Sequence, residues 1–155
     1  MNNKEKTIWL DLEETIIDSW NSGLLVNASK IRKWLNDNDC GDIHIWSFAI
    51  WNEKDQSEFE TSGMKDSIER ILRRQILSYP SVIDMHKFVY QYEKVRYDGT
   101  TDFMSINGKH WSFIKFCMGH HIGKECILID DSIPSWTITD NKTGTIIKLI
   151  NVRDI

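Results

Sequence analysis

Cysteine is scarce. Cys40, Cys117 and Cys126 are the only three in 155 residues, unevenly spaced and with no C-x-x-C pair. That excludes a disulfide framework and a zinc signature, and predicts reduced, mostly buried thiols in a cytoplasmic protein. Two prolines and eight glycines leave no linker, repeat or low-complexity tract. No glycine-rich loop is present to cradle a nucleotide's phosphates, which argues against a nucleotide-driven kinase. No apolar run approaches membrane-spanning length, and Met1 to Lys6 lacks the apolar stretch of a signal peptide. Positive charge is also in deficit. The formal charge of -4 is not the footprint of a general nucleic-acid binder, although a local basic patch stays open.

What is there fits one compact domain over residues 1–155. A chain of this length buries roughly two thirds of its unfolded surface, enough for a self-sufficient core. Apolar content of 41% and charged content of 27% are globular values. Seven tryptophans are many for this size. Core filling accounts for them; lining a pocket for a ring-shaped substrate is the sharper alternative.

The informative feature is a pair of acidic clusters at the ends of apolar runs, Ile8-Trp9-Leu10-Asp11-Leu12-Glu13-Glu14 and Ile127-Leu128-Ile129-Asp130-Asp131. Such runs read as buried strands of a parallel sheet, whose carboxyl ends are where an open α/β sheet places its ligand site. Two such strands bring Asp11, Glu13, Asp130 and Asp131 together. Crowded carboxylates repel, so the cluster predicts a bound cation, magnesium, with a carboxylate poised to attack.

Elements follow along the chain. Residues 7–12 are a first strand, followed by a loop from Thr15 to Gly23. Asn27-Ala28-Ser29 offers a helix cap, Lys30 to Asn36 run as a short helix, and Asn36 to Gly41 is a turn. Ile43 to Phe48 is a second strand, Glu53 to Gly63 a polar loop, and Ser67 to Ser78 a helix with Ile68, Ile71, Leu72 and Ile76 at helical spacing. Ser81 to Met85 reads as a short strand leading into His86 to Tyr97. Ser105 to Gly108 breaks the chain before a helix from Lys109 to about His120. Cys126 to Ile129 and Thr145 to Val152 are the last strands. This alternation predicts an α/β fold with a doubly wound, mostly parallel sheet and helices on both faces.

Asp11-Leu12-Glu13-Glu14-Thr15 resembles the first motif of the haloacid dehalogenase-like (HAD) phosphohydrolases, a strand followed by Asp-x-Asp-x-Thr. Ile43 to Ser47 resembles the second, a strand ending in Ser or Thr. Lys109, 21 residues before Asp130, is placed like the third motif's lysine, and Ile127 to Asp131 resembles the fourth. One departure stands out, since the family's second aspartate is Glu13 here. The resemblance implies a Rossmann-like HAD-type sheet and a magnesium-dependent phosphatase. Asp11 is then the nucleophile that forms an aspartyl-phosphate. Asp11, the Glu13 carbonyl, Asp130 and Asp131 hold the magnesium. Ser47 donates to a phosphate oxygen and Lys109 neutralises its charge, with Lys115 and Lys124 as competing lysines. Glu13 stands where the family's acid-base residue does. It has the same acid chemistry but is one methylene longer, and a displacement of ~1 Å can cost on the order of 100-fold in rate. A fold that binds without turning over is therefore the second reading. Hydrolytic dehalogenation, which needs no metal, sits poorly with paired Asp130 and Asp131.

Other readings are structural. Asp131-Ser132 before Pro134 also fits a helix N-cap. His44 fits a core histidine, and His120-His121 lacks partners at ligand spacing. Arg70, Arg73 and Arg74 fit a solvated helix face, with a polyanion as the alternative. In the resembled family, insertions between the first two motifs form a cap over small substrates. Here only 35 residues separate Asp11 from Ser47, no room for a full cap domain, and residues 48–108 fill the second insertion position. An open site of this kind favours a large phosphorylated substrate, a nucleic-acid end or a phosphoprotein, over a small molecule.

Overall fold

The computed structural model describes residues 4–85 and 108–155. The helix expected over His86 to Tyr97 and the break at Ser105 to Asn107 lie outside the described residues. The fold is α/β, built on a five-stranded sheet of order β2-β1-β3-β5-β4. The strands are β1 (Lys6–Leu10), β2 (Ile43–Ile45), β3 (Glu125–Asp130), β4 (Trp136–Asp140) and β5 (Thr145–Asn151). β2, β1, β3 and β5 run parallel, and β4 pairs antiparallel with β5. The helices are α1 (Ala28–Asp37), α2 (Glu53–Thr61), α3 (Met64–Leu72) and α4 (Gly108–His120).

Period-two alternation separates two cores across this sheet. Ile8 and Leu10 of β1 and Ile127 and Ile129 of β3 pack with Ile31 and Leu35 of α1 and Ile68 and Leu72 of α3. Trp9, Cys126, Leu128, Ile147 and Leu149 face the other way, onto Phe113 and Cys117 of α4. Both faces of the central strands are thus apolar, which is why they read as unbroken hydrophobic runs. The three cysteines are free and buried, as their scarcity predicted. Most tryptophans fill the cores: Trp9 and Trp46 are buried and Trp20, Trp34 and Trp111 pack against them, while Trp51 and Trp136 are exposed. Among the described residues no helix is long and apolar enough to cross a membrane.

Several local expectations are corrected. The segment expected to be a loop from Glu53 is helix α2. Asn52 caps it by accepting from the Asp55 N–H, acidic Glu53 and Asp55 suit its positive end, and Phe59 alone anchors it in the core. One apolar residue carries no periodicity to read. The helix expected to run to Ser78 stops at Leu72, where Arg73 turns left-handed at φ 54°. Residues 75–78 then lie along β2: Gln75 O accepts from Ile43 N, and Ile43 O accepts from Leu77 N. Residues 82–85 are helical rather than extended, with Ser81 and Asp84 exchanging cap hydrogen bonds. The second strand is shorter than predicted, ending at Ile45. The alternative reading of Asp131-Ser132 as a helix N-cap is not met: no helix starts there, and strand β4 begins at Trp136.

Candidate metal centre

Strand register delivers the acids to one edge. Leu10 lies opposite Ile129, and Asp11 N–H donates to Ile129 O at 3.0 Å. Asp11 therefore leaves β1 level with Asp130, the last residue of β3, and Asp131 follows. Ligand oxygens of Asp11, Asp130 and Asp131 all lie within 4.8 Å of one another. Among the described residues this is the only group of three or more acidic, histidine or cysteine side chains placed to share an ion. Asp11 and Asp130 are buried and Asp131 half-buried.

Lys109, in the first turn of α4, supplies the buried cation. Its Nζ lies 2.5 Å from Asp11 Oδ1 and 2.8 Å from Asp130 Oδ2. Its backbone carbonyl is fixed twice, by the Trp46 indole N–H at 3.2 Å and the Ser112 hydroxyl at 2.6 Å. The competing lysines point elsewhere: Lys115 is exposed, and Lys124 pairs with Glu5 at the far end of β3. The Thr15 hydroxyl donates to Asp11 Oδ2 at 2.8 Å. Ser132 donates to Asp130 Oδ1 through both its N–H and its hydroxyl, and His110 Nε2 meets Asp130 Oδ2 at 3.1 Å. The Asn151 amide donates to the carbonyls of Asp131 and Ile133, pinning the loop behind the site.

Two predicted residues sit differently. Ser47 is buried two residues beyond β2, and its Oγ accepts the Ala49 N–H at 3.2 Å. A hydroxyl that accepts in this way can still donate its own proton. Glu13 is exposed and stands outside the carboxylate group; its Oε2 accepts the Trp20 N–H at 3.0 Å. The adjacent Glu14 is left-handed at φ 63°, and the peptide beyond it turns to let Thr15 face Asp11.

Charge bookkeeping explains the electrostatics. Three carboxylates against one ammonium leave an excess of negative charge in a largely buried cluster. Burial pushes the Asp11 carboxyl up to about 7, with the Lys109 cation opposing and Asp130 reinforcing the rise. Asp130 suffers burial too, yet Lys109 and His110 hold it well below the usual carboxylate range. Burial alone would lower the Lys109 ammonium, but the two aspartates raise it. Both aspartates touch the same ammonium and shift in opposite directions, because one cation can satisfy only one of them fully. Asp130 has extra donors in Ser132 and His110, whereas Asp11 has the Thr15 hydroxyl beside the shared ammonium. A divalent cation would supply the missing positive charge, and three oxygens at this spacing suit a hard, oxygen-seeking ion.

Sequence reasoning about the site missed Thr15 as a partner, His110 and Trp46. Thr15 lies four residues after Asp11, a spacing a tight turn closes. His110 and Trp46 carry no signal, since a histidine beside a lysine and a tryptophan in an apolar run are ordinary. The remaining candidates are structural. His44 stacks on Trp9 with ring centres 4.4 Å apart and meets Ser78 Oγ at 2.6 Å. His120 and His121 pack on Phe116. Beside α3, a cleft of about 780 Å³ holds Arg70, Arg73 and Arg74, but Asp42, Asp66 and Glu69 line it too. Arg70 pairs with Asp66, and Arg74 is spent on the carbonyls of Cys40 and Leu72. That is no bare basic face. No protein-family model matches the chain, and neither does any curated protein or solved structure.

Proposed function

We propose that the chain is a small HAD-like phosphohydrolase that hydrolyses phosphate monoesters with magnesium through an aspartyl-phosphate on Asp11. The observation that carries this reading is the convergence of Asp11, Asp130 and Asp131 within 4.8 Å at the carboxyl edge of a parallel sheet, with Lys109 bridging two of them. The parallel order β2-β1-β3-β5 and the apolar cores on both faces support the finer arrangement, a doubly wound HAD-type sheet. Magnesium, held by Asp11, Asp130 and Asp131, would supply positive charge for the phosphoryl oxygens and for the crowded carboxylates.

The chain's own residues then divide the work. An Asp11 oxygen attacks phosphorus in line, the P–O bond to the leaving group breaks, and the leaving oxygen takes a proton from Glu13. In the second half Glu13 removes a proton from water, whose oxygen attacks phosphorus and releases Asp11 and inorganic phosphate. Lys109 and the Ser47 hydroxyl stabilise the charge on the transferring group. Thr15 orients Asp11.

One observation favours the second reading, a protein that binds without turnover. The Glu13 carboxylate is held by the Trp20 N–H, away from the cluster, so acid-base work requires that hydrogen bond to break. Hydrolysis of an aryl phosphate, with magnesium or with chelator, decides between them. The phosphatase reading expects turnover that chelator abolishes. Absent turnover in wild type, with activity appearing in Glu13→Asp, would identify the glutamate as the block. Turnover indifferent to chelator would sink the metal mechanism.

Magnesium binding should also release a proton. Without metal the Asp11 carboxyl sits at about 7, and a cation requires its anion. Affinity should therefore fall as pH drops below 7, approaching tenfold per pH unit, and level off above it. Calorimetry at pH 6 in buffers of different ionisation enthalpy counts the proton. Binding with no proton released would refute the assignment of Asp11 as a ligand.

A further inference from the structure

β4 closes one end of the sheet order, with its inner edge paired to β5 over all five residues and without a bulge. Among the described residues no strand pairs its outer edge. Trp136 is 44% exposed, and Thr137 and Thr139 are exposed as well. A bare edge presents unpaired N–H and C=O groups, and proteins usually blunt it with lysine, proline, a bulge or an inward charge. Trp136-Thr137-Ile138-Thr139-Asp140 has none of the first three, and Pro134 lies two residues upstream. Its single charge, Asp140, is occupied in the hairpin turn, where it accepts from the Lys142 N–H at 3.1 Å and the Thr143 hydroxyl at 2.7 Å.

The strand is also complementary to itself. Thr137-Ile138-Thr139 reads the same in both directions. Antiparallel pairing with a second copy would set Ile138 against Ile138, Thr137 against Thr139 on both sides, and Trp136 against Asp140. Every central pair is β-branched, and no like charges meet. A two-fold interface demands this kind of self-matching surface. We propose that β4 is a dimerisation edge, joining two copies of this chain into one continuous sheet about a two-fold axis at Ile138.

Sedimentation equilibrium of the full chain over a concentration series tests this. Wild type should show a reversible monomer–dimer equilibrium. Thr137→Lys combined with Thr139→Lys sets lysine against lysine at both symmetric pairs, and should weaken the dimer by about tenfold or more. Thr137→Lys combined with Thr139→Glu sets opposite charges against each other there, and should keep the wild-type dimer or tighten it. Both positions are exposed, and circular dichroism verifies that each variant is folded. A wild type that stays monomeric at the highest concentration it tolerates overturns the proposal, as does equal dimerisation of the two double variants.

Discussion

Asp11→Asn is expected to lower magnesium-dependent hydrolysis of an aryl phosphate by roughly ten-thousand-fold or more, because the amide oxygen cannot form the covalent intermediate. The same variant should fold at least as stably as wild type. Asp11 is a buried acid whose folded carboxyl is raised to about 7, so the folded state holds that proton more tightly than the unfolded chain does. Its contribution to stability is therefore lost as pH rises from the ordinary aspartate range through 7, and above 7 its charge is a liability. Asparagine removes that liability, keeps the shape, and leaves Lys109 to Asp130 at 2.8 Å. A gain of roughly 1 kcal/mol at pH 8 without metal fits replacement of one member of a crowded buried charge group. Denaturant unfolding measures it beside the kinetics. A variant with undiminished hydrolysis would remove the aspartyl-phosphate mechanism, and one that fails to fold would recast Asp11 as structural.

Lys109→Met carries the largest expected effect on stability. The ammonium is the direct cationic partner of both Asp11 and Asp130, and all three groups are buried. Taking one partner from a buried ion pair costs about 3–5 kcal/mol, because the other partner stays behind uncompensated. His110 remains beside Asp130 and softens the loss at that carboxylate alone. Magnesium should then stabilise the variant more than it stabilises wild type, since the emptied cluster has one more negative charge for the ion to neutralise. At a hundred times the dissociation constant, binding linkage restores about 2.7 kcal/mol. Urea unfolding with magnesium and with chelator gives both numbers. Wild-type stability in chelator would show that the lysine does not hold the carboxylates together, and no response to magnesium would show that the cluster does not bind the ion.

The places where sequence and structure part company share a cause. α2 was illegible because its stability rests on one buried phenylalanine and a cap, with no apolar stripe. Residues 75–78 matched a helical spacing, yet the backbone groups of Ile43 and Ile45 on the edge of β2 took them as an extended partner. β4 was hidden behind a proline that fits a helix start equally well. In each case the local pattern allowed two structures, and a contact distant in sequence chose one.

Unbroken apolar runs in β1 and β3 determined by themselves that these strands are buried on both faces and parallel, whereas β5 is interrupted by Lys148 and only its alternate residues are buried. With that came the position of Asp11, Asp130 and Asp131, since a strand sealed on both faces must end where charge begins. Tertiary structure alone decided how those charges are balanced. Lys109 reaches Asp11 across 98 residues of chain, and Trp46 fixes the turn that carries it. Glu13, two residues from Asp11 and expected beside it, is turned away by a single N–H from Trp20. Burial is written in the composition of a segment, but the pairing of charges depends on distances that exist only once the chain has closed on itself.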